Sequence, residues 1–162
     1  MGKLKIGWIT FTCSEDSTVL FLELLNKNFF DWTERIDFVY FKALRKGVDL
    51  HDIHDVDVFF VEGAISTDKE EEELRYIRKI SKYVVAVGSC ACTGMPSAQR
   101  NVFSEPIKNM IKERIYRYGL HSNVEPINKF VKVDDYIMGC PMVEANFIKV
   151  LGKYLDMFNT GT

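Results

Sequence analysis

The chain has 162 residues, of which 47% are hydrophobic and 27% are charged, and its formal net charge is −2. This length suits one compact domain with a sizeable core, and the balanced charge gives no basic footprint for nucleic acid or an acidic membrane surface. No apolar run approaches the roughly 20 residues that span a bilayer, and no signal peptide is evident at the N-terminus. We therefore expect a single domain over residues 1–162 in a cytoplasmic protein, with no membrane span and no nucleic-acid partner.

Segments typical of strands and of helices alternate along the chain. Residues 3–11 alternate apolar and polar side chains and predict a first strand. The Leu-rich segment 17–25 predicts a buried helix, which Asp16 or Ser17 would cap. β-Branched and aromatic residues then predict a second strand at 36–41.

The rest of the chain continues this alternation. Acidic residues at the start of segment 66–82 and basic residues toward its end complement the dipole of a helix. The other elements, in chain order, are a short helix within 47–56, strands at 56–61 and 83–87, a helix at 106–118, a strand at 135–138 and a helix at 143–158. This order indicates a parallel sheet covered on both faces, so we predict a flavodoxin-like, doubly wound α/β domain with a mainly parallel five-stranded sheet.

The four cysteines fall where strands of such a sheet would end. Cys13 follows the first strand, Cys90 and Cys92 follow the fourth, and Cys140 follows the last. Doubly wound sheets bind ligands beyond the carboxyl ends of their strands, and a cytosolic chain of this size has little need of disulfides. Thiols buried only for packing would be scattered over strands and helices, so this placement indicates a shared site.

Soft ligands that converge from three loops suit zinc or an iron–sulfur cluster. Structural zinc usually takes paired Cys-x-x-Cys motifs, which the sequence lacks. A [4Fe–4S] cluster takes four ligands spread around a larger object, and one ligand from each of several loops fits that geometry. Cys90 and Cys92 would supply two corners poorly, because side chains two residues apart in a loop tend to diverge.

Short motifs in the correct order carry a family resemblance. They are the first strand leading through Trp8 to Cys13, the Glu-Gly pair at 62–63, the Gly-x-Cys-Ala loop at 88–91 with Gly94 after it, and the Gly-Cys-Pro loop at 139–141. Together they resemble the small, electron-transfer subunit of [NiFe] hydrogenases and the related 20-kDa subunit of NADH:quinone oxidoreductase. The resemblance covers about residues 3–155.

This resemblance implies one proximal [4Fe–4S] cluster with three cysteine ligands, Cys13, Cys90 and Cys140. The first loop of the family is usually Cys-x-x-Cys, and Asp16 stands here in the position of its second cysteine. Aspartate at this position also resembles the cytosolic F420-reducing group of hydrogenases. The fourth ligand stays open: it is Asp16 by position, Cys92 if that loop bends, or Glu15 or water if Asp16 only caps the helix.

The resemblance also implies which other residues lie near the cluster. Those expected to contact it are Gly88, Ser89, Ala91, Gly94, Gly139 and Pro141. Backbone N–H groups at Gly88, at Gly94 and at the start of helix 17–25 would point toward this negatively charged group. A proton route of the family runs near the first loop, so Glu62, Glu15 and Ser14 are candidates to pass protons, and Glu62 could equally cap or bond a loop. The histidines, His51, His54 and His121, are expected to be structural.

A subunit of this kind would not split hydrogen itself. The Ni–Fe centre would belong to a [NiFe] hydrogenase large subunit, and electrons would leave to a further iron–sulfur or flavin subunit, because no cysteines remain for more clusters. The first alternative is a quinone-oxidoreductase-like subunit of a complex that does not use hydrogen. The second is a flavodoxin-like binding or assembly module without a cluster.

Overall fold

The computed structural model describes residues 2–45 and 47–159, so Met1, Lys46 and residues 160–162 of the predicted 1–162 domain lie outside the described residues. The strands are β1 (Leu4–Thr10), β2 (Ile36–Phe41), β3 (Val56–Glu62), β4 (Ile65–Thr67), β5 (Ser81–Val87), β6 (Leu120–Glu125) and β7 (Asp135–Ile137). The helices are α1 (Asp16–Lys27), α2 (Phe29–Arg35), α3 (Asp68–Ile80), α4 (Gly88–Thr93), α5 (Glu105–Arg117) and α6 (Glu144–Asn159). Short 3₁₀ turns lie at Leu50–Asp52, Ser97–Val102 and Ile127–Lys129. None of the helices in this described part of the chain has the length and apolar character needed to cross a membrane.

Five strands form one parallel sheet in the order β2-β1-β3-β5-β7, which confirms the predicted flavodoxin-like fold. Neighbouring strands end in register, because Thr10 pairs with Glu62, Glu62 with Val87, and Val87 with Ile137. The segments that follow β1, β3, β5 and β7 therefore all begin at the same edge of the sheet. The predicted site residues follow these strand ends.

Helices cover both faces of the sheet, each over its own hydrophobic core. On one face, α1, α2 and α6 pack around Trp8, whose ring stacks on Phe21 with centroids 4.4 Å apart. On the other face, Leu74 and Ile77 of α3 pack against the sheet near Phe59. The central strand β3 is buried along its whole length, as expected for a strand with helices on both sides.

Several elements escaped prediction for physical reasons. In α2 the only buried residue is Trp32, so the segment shows no apolar stripe. Strands β4 and β6 form a small antiparallel sheet whose register shifts between Ile65 and Thr67, so they lack a regular alternation. Residues 88–93, expected to be a loop, form α4, which begins directly at the end of β5.

A partly buried ion pair joins the end of α3 to the segment before β7. The Arg78 guanidinium donates to Asp134 Oδ2 at 2.6 Å, and the Val84 backbone N–H donates to the same oxygen at 2.9 Å. Burial by itself would raise the pKa of Asp134, but the bonds from Val84 and Arg78 outweigh it and lower that pKa from its ordinary value. The ionised carboxylate therefore stabilises the folded chain.

Asp134→Asn should lower the free energy of unfolding near neutral pH by about 1.5–3 kcal/mol, since the bond to Arg78 loses its charge assistance. A carboxyl group with a lowered folded pKa contributes stability that is fully present above its unfolded pKa of about 3.9 and is lost as pH falls through the folded pKa. Urea denaturation should therefore show a gap between wild type and variant that is constant above about pH 5 and shrinks below about pH 4. The exposed control Asp52→Asn should leave the free energy of unfolding unchanged at each pH, and a gap that does not shrink between about pH 4 and pH 2 would contradict this account of the Asp134 charge.

Candidate metal centre

One pocket lies beyond the aligned strand ends. Its lining residues are Cys13, Ser14, Asp16, Ser17, Glu62, Val87, Gly88, Ser89, Cys90, Gly139 and Cys140. The fold thus brings the four predicted ligands, Cys13, Asp16, Cys90 and Cys140, to a single pocket from three separate segments. Cys92 does not line it.

The first loop (residues 11–15) turns sharply before α1. Glu15 has a φ of 63°, a left-handed conformation that is unusual for a residue with a side chain. Its N–H donates to Cys13 Sγ at 3.2 Å, and the Ser14 hydroxyl donates to Asp16 Oδ2 at 2.8 Å. This turn brings the Cys13 thiol and the Asp16 carboxylate to the same pocket.

Glu62, at the end of β3, caps α1 from outside the helix. The predicted cap by Asp16 or Ser17 is wrong, because the helix is preceded by Glu15, whose side chain makes no capping bond. Glu62 Oε1 accepts from the Ser17 N–H at 2.9 Å, and Oε2 accepts from the N–H of Thr18 at 3.0 Å and from its hydroxyl at 2.6 Å. These N–H groups are therefore engaged by a buried carboxylate and do not point at an anion in the pocket, contrary to the prediction.

Cys90 and Cys92 leave α4 in opposite directions. At 3.6 residues per turn, side chains two positions apart on a helix diverge by about 200°. Cys90 faces the pocket, with its Sγ 3.2 Å from Ser97 Oγ. Cys92 is buried in the core beneath α4, where its Sγ lies 3.7 Å from the Ala86 carbonyl oxygen. Helical geometry therefore separates the two thiols that the sequence expects to diverge within a loop.

The segment between β7 and α6 carries Cys140 to the rim of the pocket. Gly139 has a φ of +122°, and a Cβ there would collide with the carbonyl oxygen two residues on, so glycine is required. Its carbonyl accepts from the Ser89 N–H at 2.7 Å, and the Met142 N–H donates to Ser17 Oγ at 3.1 Å. These bonds join the segment to α4 and α1 and leave Cys140 exposed at the edge.

Burial raises the pKa of two of the four thiols, Cys13 and Cys92. It raises the pKa of Cys13 to about 12, with Glu62 and Cys90 adding to the shift and the Glu15 N–H opposing it. Burial also raises the pKa of Cys92 to about 11. Both thiols are therefore protonated near neutral pH without a bound cation, and metal ligation by Cys13 must release a proton.

The donor side chains line one pocket without converging on a single point. Within residues 2–45 and 47–159, no group of three or more His, Cys, Asp or Glu side chains is arranged to hold one metal ion. A [4Fe–4S] cluster takes its protein ligands on separate irons, so they need not converge on one point. Three thiols and one carboxylate around a common pocket fit that arrangement.

Three predicted cofactor contacts lie off the pocket. Ala91 is buried in the core beneath α4, and Pro141 is absent from the lining. The N–H of Gly94 donates to the Cys90 carbonyl oxygen at 2.8 Å and so closes the C-terminal end of α4. The prediction that this N–H points at the cluster is therefore wrong. The other three predicted contacts do line the pocket: Gly88, Ser89 and Gly139.

The histidines lie away from the pocket and hold structure together. The Tyr76 hydroxyl donates to the His51 carbonyl oxygen at 3.1 Å and lies 3.3 Å from His54 Nδ1. His121 Nε2 lies 2.8 Å from Asp68 Oδ1. All three contacts involve residues of α3, which agrees with the predicted structural role.

Sequence reasoning missed the polar residues behind the pocket. Ser97 contacts Cys90 from the 3₁₀ turn after α4, and Thr12 Oγ1 donates to Glu70 Oε1 at 2.9 Å. Glu70 also forms a capping box with Thr67 at the start of α3. The Thr-x-x-Glu spacing at 67–70 signals that cap, but nothing in the sequence links it to Thr12.

Comparison with known proteins supports the predicted resemblance. The family model of the NADH:ubiquinone oxidoreductase 20-kDa subunit matches residues 16–154, a range that begins at Asp16 and includes Cys90 and Cys140. The chain is 35% identical to coenzyme F420 hydrogenase subunit gamma of Methanosarcina barkeri, over 65% of this chain and 36% of that protein. It is 27% identical to the delta subunit of the NAD-reducing hydrogenase HoxS of Cupriavidus necator, over 96% of this chain and 80% of that protein.

Solved structures have the same fold. A chain of an NAD+-reducing [NiFe]-hydrogenase in its H2-reduced state matches with a TM-score of 0.77 and 24% identity, covering 95% of this chain and 92% of that one. A chain of the Ni-Fe-Se hydrogenase from Desulfomicrobium baculatum matches with a TM-score of 0.64 and 17% identity, covering 93% and 61%. The first curated relatives are longer proteins, since this chain spans only 34% to 41% of four of them.

Proposed function

Because the chain belongs to the family of the 20-kDa subunit of NADH:ubiquinone oxidoreductase, we propose that it is the electron-transfer subunit of a [NiFe] hydrogenase. In this proposal it holds one proximal [4Fe–4S] cluster and relays electrons between a Ni–Fe large subunit and a further iron–sulfur or flavin subunit. Hydrogen chemistry belongs to the large subunit. The two relatives described above are hydrogenase subunits, which supports this assignment.

The convergence of four donors on one pocket carries the proposal. Cys13, Cys90 and Cys140 are offered as thiolate ligands, and Asp16 as the fourth ligand through a carboxylate oxygen. A [4Fe–4S] cluster supplies reversible one-electron transfer, and the surrounding residues set its potential through ligand type, burial and hydrogen bonds to sulfur. The Glu15 N–H, 3.2 Å from Cys13 Sγ, is one such donor.

Partner subunits would meet the chain near the rim of the pocket. Cys140 is exposed there, and the exposed apolar residues Met138 and Val143 flank its loop. Large apolar side chains left in water around a redox site suit a protein interface. We place the assembly in the cytoplasm, with no nucleic-acid partner.

Three side chains remain candidates for a proton route: Glu62, Glu15 and Ser14. Glu62 contacts Thr18, whose hydroxyl lies 3.0 Å from the Thr10 hydroxyl, so a polar chain leads away from the pocket. The three hydrogen bonds that Glu62 accepts at the start of α1 are also those of a purely structural helix cap. The capping role and the proton-transfer role of Glu62 predict different results on mutation.

A hydrogen-independent redox complex is the second candidate function. It is favoured by the name of the matching family, a subunit of a quinone-reducing enzyme. Both candidates need the cluster, and they differ in the large subunit. Co-purification with a nickel-bearing subunit supports the hydrogenase, whereas a large subunit without nickel supports the alternative.

Anaerobic purification followed by iron and sulfide analysis tests the cluster itself. The expected result is about four irons and four sulfides per chain, with an EPR signal on reduction. A colourless protein that stays free of iron after reconstitution would contradict both cluster-bearing functions. It would favour a flavodoxin-like binding or assembly module.

The identity of the fourth ligand predicts a contrast between two variants of Asp16. Asp16→Cys should keep the cluster and change its EPR spectrum and midpoint potential, since thiolate is a softer ligand than carboxylate. Asp16→Ala should hold iron less tightly, because one corner loses its protein ligand. If neither variant alters the spectrum while Cys92→Ala does, the assignment of Asp16 is wrong.

A further inference from the structure

We propose that the Ser97 hydroxyl donates a hydrogen bond to the Cys90 sulfur when that sulfur ligates metal, and that this bond raises the reduction potential of the site. The inference rests on the proposed function and adds to it a positioning residue outside the ligand set. It concerns a group that does not line the pocket and that no sequence motif identifies.

The Ser97 hydroxyl lies between two acceptors. Its oxygen is 3.2 Å from Cys90 Sγ, and it donates to the Thr12 carbonyl oxygen at 3.1 Å. A hydroxyl has one proton to donate, so it serves one acceptor at a time. Because the Ser97 hydroxyl donates to Thr12, a hydrogen bond across the 3.2 Å contact with Cys90 has the thiol as its donor, and all three groups are satisfied.

Ligation changes this arrangement. A metal-bound cysteine has lost its proton, so Cys90 Sγ can only accept. Ser97 Oγ then lies next to two acceptors, the Cys90 thiolate and the Thr12 carbonyl oxygen, and its single proton can bond only one of them. A charged acceptor takes the stronger hydrogen bond, so the hydroxyl turns toward the sulfur.

The Thr12 carbonyl can release the Ser97 proton without losing its only partner. The Ala64 N–H donates to the same carbonyl oxygen at 2.9 Å, as part of a reciprocal pair in which the Thr12 N–H donates to Ala64 at 3.1 Å. The switch of the hydroxyl therefore leaves no buried carbonyl oxygen without a donor. Only the hydroxyl proton needs to move.

The frame around Ser97 is fixed on both sides. The Thr12 hydroxyl donates to Glu70 and lies 2.6 Å from the Ser66 hydroxyl, which anchors the first loop to the start of α3. On the other side, the Ala98 N–H donates to the Gly94 carbonyl oxygen at 2.7 Å and holds the 3₁₀ turn against α4. Ser97 is thus held at bonding distance from Cys90.

A donor at a ligating sulfur stabilises the more negative, reduced form of the site. Loss of the hydroxyl should therefore shift the one-electron equilibrium toward the oxidised form. We expect about a tenfold shift, which corresponds to about 59 mV toward more negative potential for a one-electron couple.

The test uses the full chain, reconstituted anaerobically, with iron content, EPR and redox titration as readouts. Ser97→Thr and Ser97→Val have nearly the same shape and differ by the hydroxyl, and Ser97→Ala removes it without added bulk. The Thr variant should keep the wild-type midpoint, while the Val and Ala variants should both shift negative. Thr93→Ala, which removes a hydroxyl of α4 bonded only to backbone groups, should leave the midpoint unchanged.

Each outcome decides the inference. Equal midpoints in the Thr, Val and Ala variants, with the cluster intact, would overturn the role of Ser97 and leave the proposed function standing. Loss of the cluster in Val and Ala but not in Thr would support it, since the hydroxyl is then the feature that matters. Loss of the cluster in all three variants would assign the effect to packing around residue 97 and would overturn the inference. A wild-type chain that binds no iron would overturn the proposed function as well.

Discussion

Replacing Cys90 with alanine should abolish assembly of the cluster, leaving the reconstituted chain without the wild-type iron content or EPR signal. The Cys90 thiol faces the pocket from α4, and the nearby thiol of Cys92 points to the other side of that helix. The pocket therefore offers no spare thiolate in this position. Removing a ligand from a site that exists only in the folded chain removes the metal-binding free energy that depends on it.

Cys92→Ala is a matched control on the same helix. Cys90 and Cys92 are both 7% exposed, so either substitution removes one buried sulfur and should cost about 1 kcal/mol of stability in the cluster-free chain. The iron content after reconstitution should nevertheless differ between the two variants: Cys90→Ala should lose its iron, and Cys92→Ala should keep the wild-type level. Chemical denaturation of the cluster-free proteins checks the first statement, and iron analysis after reconstitution checks the second.

The reverse pattern would contradict the site. If Cys92→Ala lost iron while Cys90→Ala kept it, α4 would have to unwind on metal binding and present its other face. Equal loss in both variants, together with equal unfolding, would point to a folding defect and not to ligation. Circular dichroism of the cluster-free chains distinguishes that outcome.

The parallel sheet and its ligand-binding edge could be predicted because strands with helices on both sides have sequences of mostly apolar residues. Residues 56–61 and 83–87 are such runs, and the residues that follow them, Glu62 and Gly88, both line the pocket. Since parallel strands end at one edge, the position of Cys13, Cys90 and Cys140 after three different strands was enough to bring them together. This part of the site follows from local pattern and topology.

The polar frame of the site could not be predicted, because its bonds join residues far apart in the chain. Glu62 reaches Ser17 across 45 positions, and Ser97 reaches Thr12 across 85. A capping residue is normally sought next to its helix, so the sequence pointed to Asp16 or Ser17 for α1 and gave Glu62 a capping or loop-bonding role without identifying its partner helix. The helix at residues 88–93 could not be predicted either, because six residues with small side chains are too few to show the apolar period of a helix.

Glu62→Gln should lower the free energy of unfolding by about 2–4 kcal/mol, although the two side chains have the same shape. Each carboxylate oxygen of Glu62 accepts from a backbone N–H at the start of α1, and one also accepts the Thr18 hydroxyl. An amide replaces one acceptor oxygen with an NH2 group, which sets donor against donor in a buried place. The favourable interaction of a negative charge with the helix N-terminus is lost as well.

Urea denaturation of the cluster-free chain measures this cost, with the exposed Glu72→Gln as a control that should stay within about 0.5 kcal/mol of wild type. The same pair separates the two roles of Glu62. A cap predicts that Glu62→Gln loses stability in the isolated chain, where no proton is being transferred. A proton relay without a capping role predicts an unchanged free energy of unfolding and a defect only in the turnover of the assembled enzyme. Because α1 begins at Asp16, a destabilised cap should also loosen this proposed fourth ligand, so the Gln variant should release iron to a chelator faster than wild type.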